Sequence, residues 1–474
     1  MLQIWHLGVD DTDSNHKMCT TYLATLLADF LLTFPLEFLD FPKLIRLNPN
    51  IPYKTRGNGA VAISFMAPEK IKDDMWSGIV DRVKQNADIS DPQTDPGLVL
   101  LMGEVPVEFT ELYKQALFQV IPLKSVKKLL KKYPTEIFYI KKGRGLIGAS
   151  AAIGATLSHD YTYELITYRN PNERKPERLI DSVSVINADK NIPLSFSNYD
   201  YEHNQVMITP HGPDPVFCGI RGETSSAVIQ MWNRIRIFEP IQTSMIFRSN
   251  QHTQVHFPKL FPGDEISPHL SVIVRGSVIK KPYDHPGGHV IFTIKSEKTL
   301  IDCAAYEPTK RFRKIIRELM EGDEVQVHGG VRPASVKTPI TINIEEILIL
   351  KLMPIKEKIT SKCPICGASL TSAGKNKGLK CKKCSFRSPD ENPRFKLKSR
   401  KIRTGVRYVI PVCAQRHLTK PISRNTPLQF HLITETDFQK AFYDYLKRRM
   451  EVNDHVVNEK ENTLKNEPES LSNS

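Results

Sequence analysis

The sequence predicts a multidomain α+β protein, with mixed helix-and-strand segments in its N-terminal half followed by a small β-barrel and a metal-bound ribbon. Three observations support this. The chain has 474 residues, enough for several separate cores at about 100–200 residues per domain. Apolar runs of helical and strand period interleave to about residue 235, and from about 268 the pattern changes to short alternating strands with polar turns. Eight cysteines are too few for a disulfide scaffold, and four of them fall into two CxxC pairs, which points to a reducing compartment and a metal site.

The first segment, 1–115, opens with a strand, "QIWHLGV", that runs into "DDTDS". "MCTTYLATLLADF" then carries a helix from about Thr20 to Phe34, and the loop "RLNPNIPYKTRGNGA" leads to a second strand, "VAISFM". The next segment, 116–235, is also α+β, with "EIFYIKKGRGLIGASAAIGATL", "YTYELITYR" and the Pro/Gly-rich "TPHGPDPVFCGIRGE". Residues 236–267 read as a connecting segment. From 268 to 350, five or six strands with one helix, "PTKRFRKIIRELM", before the fourth read as an OB-type barrel, a common oligonucleotide-binding module. Cys363, Cys366, Cys381 and Cys384 then form C-x2-C-x14-C-x2-C, which suits a closed tetrahedral zinc site in a ribbon within 355–424. Residues 425–474 read as a helix and a polar, disordered tail.

Charge is concentrated rather than spread. Residues 356–424 hold 19 Lys and Arg against three acids, a local balance of +16, so the rest of a +14 chain sums to −2. Such a block, interspersed with Phe386, Phe395 and Tyr408, is the footprint of a phosphate-backbone binder; a solvated basic face is the plainer alternative. The most apolar helix is interrupted by Asp29, and no basic region precedes an apolar stretch at the N-terminus. Neither a signal peptide nor a membrane span is expected, the expected location is cytoplasmic, and nothing signals an obligate protein partner.

A strand ending in three acids places carboxylates at a sheet edge, where they repel unless solvated or held by a hard cation such as Mg²⁺. Asp10 and Asp11 are the candidate metal carboxylates. Asp13 caps the turn or reaches the metal through water, and turn capping by all three is the alternative. Thr20 and Thr21 open the helix beside this loop and offer hydroxyls and free amides to an anion, although Thr20 could instead be the helix N-cap. Lys54 and Arg56 supply positive charge next to Gly57 and Gly59, a backbone nest rather than a Walker loop, for no GxxxxGK[ST] occurs. In "GPDPVFCGIRGE", Pro213 and Pro215 rigidify Asp214, and Arg221 and Glu223 follow. "GRGLIG", Gly143 to Gly148, with Glu164 about twenty residues on, matches a dinucleotide fingerprint. Its run of small residues more simply permits close helix packing.

Together, "DDTDS", "MCTTYL", "LIRLNPNIPYKTRGNGA", "GRGLIGASAAIGA", "TPHGPDPVFCGIRGE", "NQHT" at Asn250 to Thr253, the barrel and the ribbon resemble one family. It is the archaeal agmatine-dependent synthetases that make 2-agmatinylcytidine at the wobble base of an isoleucine tRNA. The resemblance extends to about residue 424. It implies a kinase-like N-terminal α/β domain, a ferredoxin-like domain, an OB-fold barrel and a zinc ribbon. It further implies ATP-dependent ligation of agmatine to C2 of the wobble cytidine in the AUA-decoding tRNA with a CAU anticodon. The implied route is a phosphorylated cytidine with ATP cleaved to AMP, using ATP with Mg²⁺ and a structural Zn²⁺.

Carried over by motif, Asp10 and Asp11 hold Mg²⁺ and Thr20 is the phosphate-accepting residue, these three forming the catalytic set. Asp13, Lys54, Arg56, Gly57, Asn58, Gly59, Arg221 and Glu223 surround ATP. Asp214 is assigned to the agmatine guanidinium because a rigid carboxylate suits a bidentate cation. One departure is "NHK", Asn15 to Lys17, where a small residue is expected before "MCTTYL". Two other readings compete: a nonenzymatic nucleic-acid-binding protein, which the barrel and ribbon fit equally well, and a nicotinamide-dependent oxidoreductase, which rests on "GRGLIG" alone.

Overall fold

The computed structural model of the protein describes residues 2–14, 16–54, 57–170, 177–336, 338–374, 377–389, 394–425 and 438–449. Its centre is β1 (Leu2–Asp10), buried from Trp5 to Gly8 and Val9, which pairs antiparallel with β4 (Gly59–Pro68) on one side and β5 (Gly97–Met102) on the other. A nine-stranded sheet grows outward from it. The short β2 (Glu37–Phe38) pairs with β4, β3 (Lys43–Arg46) lies beyond β4, and β6 (Thr135–Tyr139) lies beyond β5. Past β3 the order continues through β11 (Thr243–Ser249), β7 (Thr162–Tyr168) and β10 (Val216–Gly222). Every neighbouring pair is antiparallel except β11 with β3. A small hairpin, β8 (Tyr199–Asp200) and β9 (Gln205–Val206), precedes β10.

The period of two sorts side chains onto two cores. Leu98 and Leu100 face one with Val9 and Ile63, while Val99 and Leu101 face the other with Ala60 and Ala62. The first core is covered by α1 (Thr20–Leu31), α2 (Lys72–Asn86), α6 (Ser182–Asn191), α7 (Ser225–Trp232) and helix 438–449, which inserts Phe442, Tyr445 and Leu446. The second is covered by α3 (Val107–Ala116), α4 (Leu123–Leu130) and α5 (Gly145–Gly154).

Two expected boundaries move. The 115/116 division falls inside α3, ahead of β6, which still pairs with β5. The segment 236–267 is not merely a connector, because it supplies β11 to the middle of the sheet. Both N-terminal segments therefore share one sheet.

The "GRGLIG" match resolves into close packing. The strand before it, β6, runs antiparallel to β5, so no parallel strand–helix–strand unit surrounds α5. Instead α5 lies on the strands backbone to backbone. A Cβ on Gly8 would stand 2.3 Å from the Ala149 carbonyl oxygen, and one on Gly97 only 2.2 Å from the Leu146 nitrogen.

C-terminal to this body, β12 (Ser271–His285), β13 (His289–Ser296), β14 (Thr299–Ala305), β15 (Glu324–Arg332) and β16 (Thr341–Lys351) form a five-stranded barrel. A parallel β14–β16 pairing closes it, and α8 (Phe312–Arg317) sits between the third and fourth strands. β17 (Lys356–Ile359) pairs with β21 (Arg394–Leu397), and between them β18 (Leu370–Ser372), β19 (Leu379–Cys381) and β20 (Arg387–Ser388) make a three-stranded ribbon. The chain then returns through β22 (Arg407–Val409), which adds to β16. Among the described residues, no helix is long and apolar enough to cross a membrane.

The packing of α5 on β1 has a direct test. Gly8→Ala must separate helix from strand, and a cost of about 1–3 kcal/mol is expected for such overpacking, read as a lower thermal midpoint for the transition that melts the large sheet.

Candidate active site

A cavity of about 700 Å³ opens where β1 ends. It has an acidic pole and a basic pole. At the acidic pole, Asp10 is the last residue of β1, and its carboxylate lies so close to α5 that a Cβ on Gly148 would meet Oδ2 at 1.9 Å. Asp11 turns the chain away from the sheet with φ of +58°, a conformation that Asp tolerates better than most residues. Arg144, just ahead of α5, donates from Nη2 to Asp11 Oδ2 at 2.8 Å and from Nε at 3.2 Å. Burial, reinforced by the charge of Asp11, pushes the Asp10 carboxyl well above the usual carboxylate range. Burial likewise pushes Asp11 up to about 6, against the opposing pull of Arg144. Asp10, Asp11, Asp13 and Asp95 all face the cavity. Arg144 alone does not balance them, and carboxylate oxygens are the donors Mg²⁺ takes, one or two at a time alongside waters and phosphates.

Thr20 is not the N-cap. That position is Cys19, which makes no side-chain cap, and Thr20 is the first residue of α1. Its hydroxyl is therefore turned elsewhere: it accepts from Thr12 Oγ1 at 3.1 Å and donates to Asp13 Oδ1 at 3.4 Å. A hydroxyl beside a carboxylate that can take its proton is the pairing expected of an activated nucleophile.

The basic pole is built from Arg46 at the end of β3, Lys54 in the following loop and Arg221 in β10, with Glu164 of β7 between the two guanidiniums. Glu164 lies 3.9 Å from Arg46 and 3.6 Å from Arg221. Three cations face one carboxylate, a balance that attracts an anion. Moreover, Arg46 Nε is buried without a hydrogen-bond partner among the described residues, whereas Arg221 Nε is the atom turned to Glu164. The cost of leaving such a donor unpaired is met when a ligand supplies an oxygen. Burial and the neighbouring Arg416 push Lys54 down to about 8. Gly57 and Gly59 serve less as a nest than as clearance, because a Cβ would stand 2.6 and 2.9 Å from Arg46 Nη1 respectively. Asn58, with φ of +47°, ties the loop down by donating to the Asn48 carbonyl at 2.8 Å.

Of the residues expected from the sequence, Asp10, Asp11, Asp13, Thr20, Lys54, Gly57, Asn58, Gly59, Asp214 and Arg221 line this one cavity. Arg56 lies outside the described residues. Glu223 is placed differently: it is not a cavity residue but forms a two-pronged ion pair with Arg424, at 2.6 and 2.8 Å. Asp214 reaches the cavity with Arg178 already 3.6 Å from its Oδ1. Sequence reasoning missed Arg46, Arg144 and His417, and saw Glu164 only as part of the dinucleotide match. Arg46 and Arg144 do carry a signal, since each lies within one of the motif segments; His417 follows the ribbon and carries none.

Comparison with known proteins shows the family. Residues 6–142 match the model of the TiaS TCKD domain, 143–256 that of the TiaS FLD domain, and 360–402 that of the TiaS C-terminal zinc ribbon domain. The chain is 41% identical to the tRNA 2-agmatinylcytidine synthetase TiaS of Methanocaldococcus jannaschii over 425 residues, covering 88% of this chain and 97% of that one. The chain belongs to the TiaS family. The TiaS of Pyrococcus horikoshii is likewise 41% identical, over 88% of this chain and 96% of its own. Among solved structures, a complex of TiaS with an isoleucine tRNA and ATP superposes with a TM-score of 0.78 at 37% identity, over 90% of this chain and 98% of that chain. A complex of TiaS with the same tRNA, AMPCPP and agmatine does so with 0.76 at 34% identity and the same coverage.

The TiaS zinc ribbon keeps its four thiols together. Cys363 and Cys384 Sγ lie 3.4 Å apart, Cys366 and Cys381 Sγ 3.5 Å apart, and the Lys383 amide donates to Cys381 Sγ at 3.3 Å. All four sulfurs lie within 4.8 Å of one another, which fits one tetrahedral Zn²⁺. Apart from these cysteines, only Leu370, Ala368, Leu379 and Phe386 of the described residues make up the ribbon's apolar cluster, too little to hold it folded alone. Cys381→Ser is therefore expected to abolish stoichiometric zinc in elemental analysis and to expose the segment 360–402 to limited proteolysis while the large sheet stays resistant.

Proposed function

We propose that this chain ligates agmatine to C2 of the wobble cytidine of the AUA-decoding isoleucine tRNA, with ATP cleaved to AMP. The observation that carries the reading is a single cavity in which Asp10, Asp11 and Thr20 face Arg46, Lys54 and Arg221. A nonenzymatic binder needs no such set. Support comes also from the TiaS relatives named as 2-agmatinylcytidine synthetases and from a homologous structure that holds an isoleucine tRNA, an ATP analogue and agmatine.

The chemistry begins with a poor leaving group, the 2-oxo group of cytosine. Attack of that oxygen on the γ-phosphorus forms a C2–O–P bond and breaks the bond to the β-phosphate. The primary amine of agmatine then attacks C2, the C2–O bond breaks, inorganic phosphate leaves with the electron pair, and the nitrogen gives up its proton. Release of AMP requires that the β-phosphoryl group also be transferred. Thr20 is its acceptor: its oxygen bonds the β-phosphorus as the bond to AMP breaks and Asp13 receives the hydroxyl proton, and water then hydrolyses the phosphothreonine to inorganic phosphate, restoring the hydroxyl. Mg²⁺ held by Asp10 and Asp11 would offset phosphate charge. Arg46, Lys54 and Arg221 position the phosphates, and such positioning and charge stabilisation account for most phosphoryl-transfer catalysis. Asp214, which shares its carboxylate with Arg178, faces the agmatine guanidinium.

The base must leave the anticodon stack to enter a cavity of this size. The five-stranded barrel has OB strand order, with the first strand between the second and fourth and the third parallel to the fifth. We assign it and the basic ribbon to gripping the tRNA, residues 6–142 to the kinase-like domain and 143–256 to the ferredoxin-like domain.

Transfer of radiolabelled agmatine to an unmodified transcript of that tRNA, with ATP and Mg²⁺, tests the reading. Label is expected on the wobble cytidine, with a loss of about 10²-fold or more in Asp11→Asn. Unlabelled tRNA, with salt-sensitive binding intact in both proteins, would favour the binding module.

A further inference from the structure

The segment after β22 leaves the barrel and runs back to the cavity as a strap. Its backbone is paired with the "NQHT" segment, His252 N donating to the His417 carbonyl at 2.7 Å and Gln254 N to the Leu418 carbonyl at 2.9 Å. Arg416 reaches Asn50 Oδ1, Thr419 Oγ1 donates to Glu345 Oε2 at 2.9 Å, and Arg424 locks onto Glu223 and Asp160. The strap brings one side chain to the cavity wall, His417.

The imidazole has its tautomer fixed. Gln251 donates its Nε2 to Glu164, so its Oε1 is the end that accepts from His417 Nδ1–H, at 3.1 Å. The lone pair is thereby left on Nε2. That atom has no hydrogen-bond partner among the described residues, and it lies beside the loop that carries Lys54, where a Cβ on Gly57 would approach it to 2.9 Å. The groups around the ring are Arg46 of β3, Lys54 of the loop, Arg221 of β10 and His252 of the segment paired with the strap, with Glu164 held at one remove by Gln251. Burial and these cations hold the imidazole well below its usual range.

We propose that His417 is a phosphate ligand of the nucleotide site: when the triphosphate enters, Nε2 takes up one proton and donates it in a hydrogen bond to a phosphate oxygen. The inference rests on the ATP reading of the cavity. Physically, an anion seated among Arg46, Lys54 and Arg221 reverses the field that keeps the ring neutral, and the only atom it can protonate is the one facing it. The bound-state pKa is thus raised above the free one. Nucleotide affinity is then greatest at low pH and falls as pH rises through the bound-state value.

Calorimetric titration of the full chain with α,β-methylene ATP and Mg²⁺ at pH 7, in two buffers of different ionisation enthalpy, counts the protons taken up. Wild type is expected to take up most of one proton more than His417→Gln, and the variant to bind several-fold more weakly. Lys54 titrates nearby, and the difference between the two proteins isolates His417. Equal uptake in both overturns the proposal. Should that variant misfold, His417→Asn takes its place in the comparison, and proton uptake equal to that of wild type overturns the proposal in the same way. Absence of any nucleotide binding by wild type would instead sink the ATP reading itself.

Discussion

Burial of two adjacent carboxylates at the end of β1 is the constraint on which the rest of the site depends. Charged groups resist leaving water, and Asp10 and Asp11 do so under a helix laid directly on their strand. The helix can come this close only because it offers glycine at the points of contact, Gly145 and Gly148 toward Asp10. One guanidinium, that of Arg144, arrives with the same helix. The carboxylates are thus fixed in place, with Arg144 as the cation that reaches them.

The opposite pole extends the same logic to the other end of the chain. Arg46 and Arg221 are held by Glu164, while the loop that carries Lys54 is pinned to the barrel: Asn48 donates to the His269 carbonyl and Asn50 to Ser271 Oγ, each at 2.8 Å. The strap then closes the site from behind. Arg424, with only 1% of its side chain exposed, ties residues past the ribbon to β10's trailing Glu223 and to Asp160. A buried ion pair of this kind contributes position more than stability, since desolvation offsets much of its attraction. Barrel and strap are therefore continuous with the cavity wall.

Much of this was legible in the sequence. The acidic strand end, the glycine-rich loop, the barrel and the ribbon are local patterns, and the described residues that the first two named line one cavity. What was not legible is long-range. No local signal distinguishes a Glu223 that faces phosphate from one that faces Arg424, 201 residues away. His417 sits in a segment whose only sequence mark is its basic charge, and its partner Gln251 lies 166 residues earlier. The domain boundary at 115/116 failed for a related reason: β5 and β6 pair across it, and helix period alone does not show where a sheet continues. The small residues of "GRGLIG" did read correctly as a packing signal, since Gly145 and Gly148 lie against β1 and β5.

On the proposed route the cytidine oxygen is activated by phosphorylation in this cavity. A transcript carrying ¹⁸O at O2 of the wobble cytidine, turned over with agmatine, ATP and Mg²⁺, tests it directly through mass analysis of the products. ¹⁸O is expected in inorganic phosphate, since the oxygen leaves C2 bonded to the γ-phosphorus. Recovery of ¹⁸O in AMP would contradict it, because the oxygen would then have been activated by adenylation.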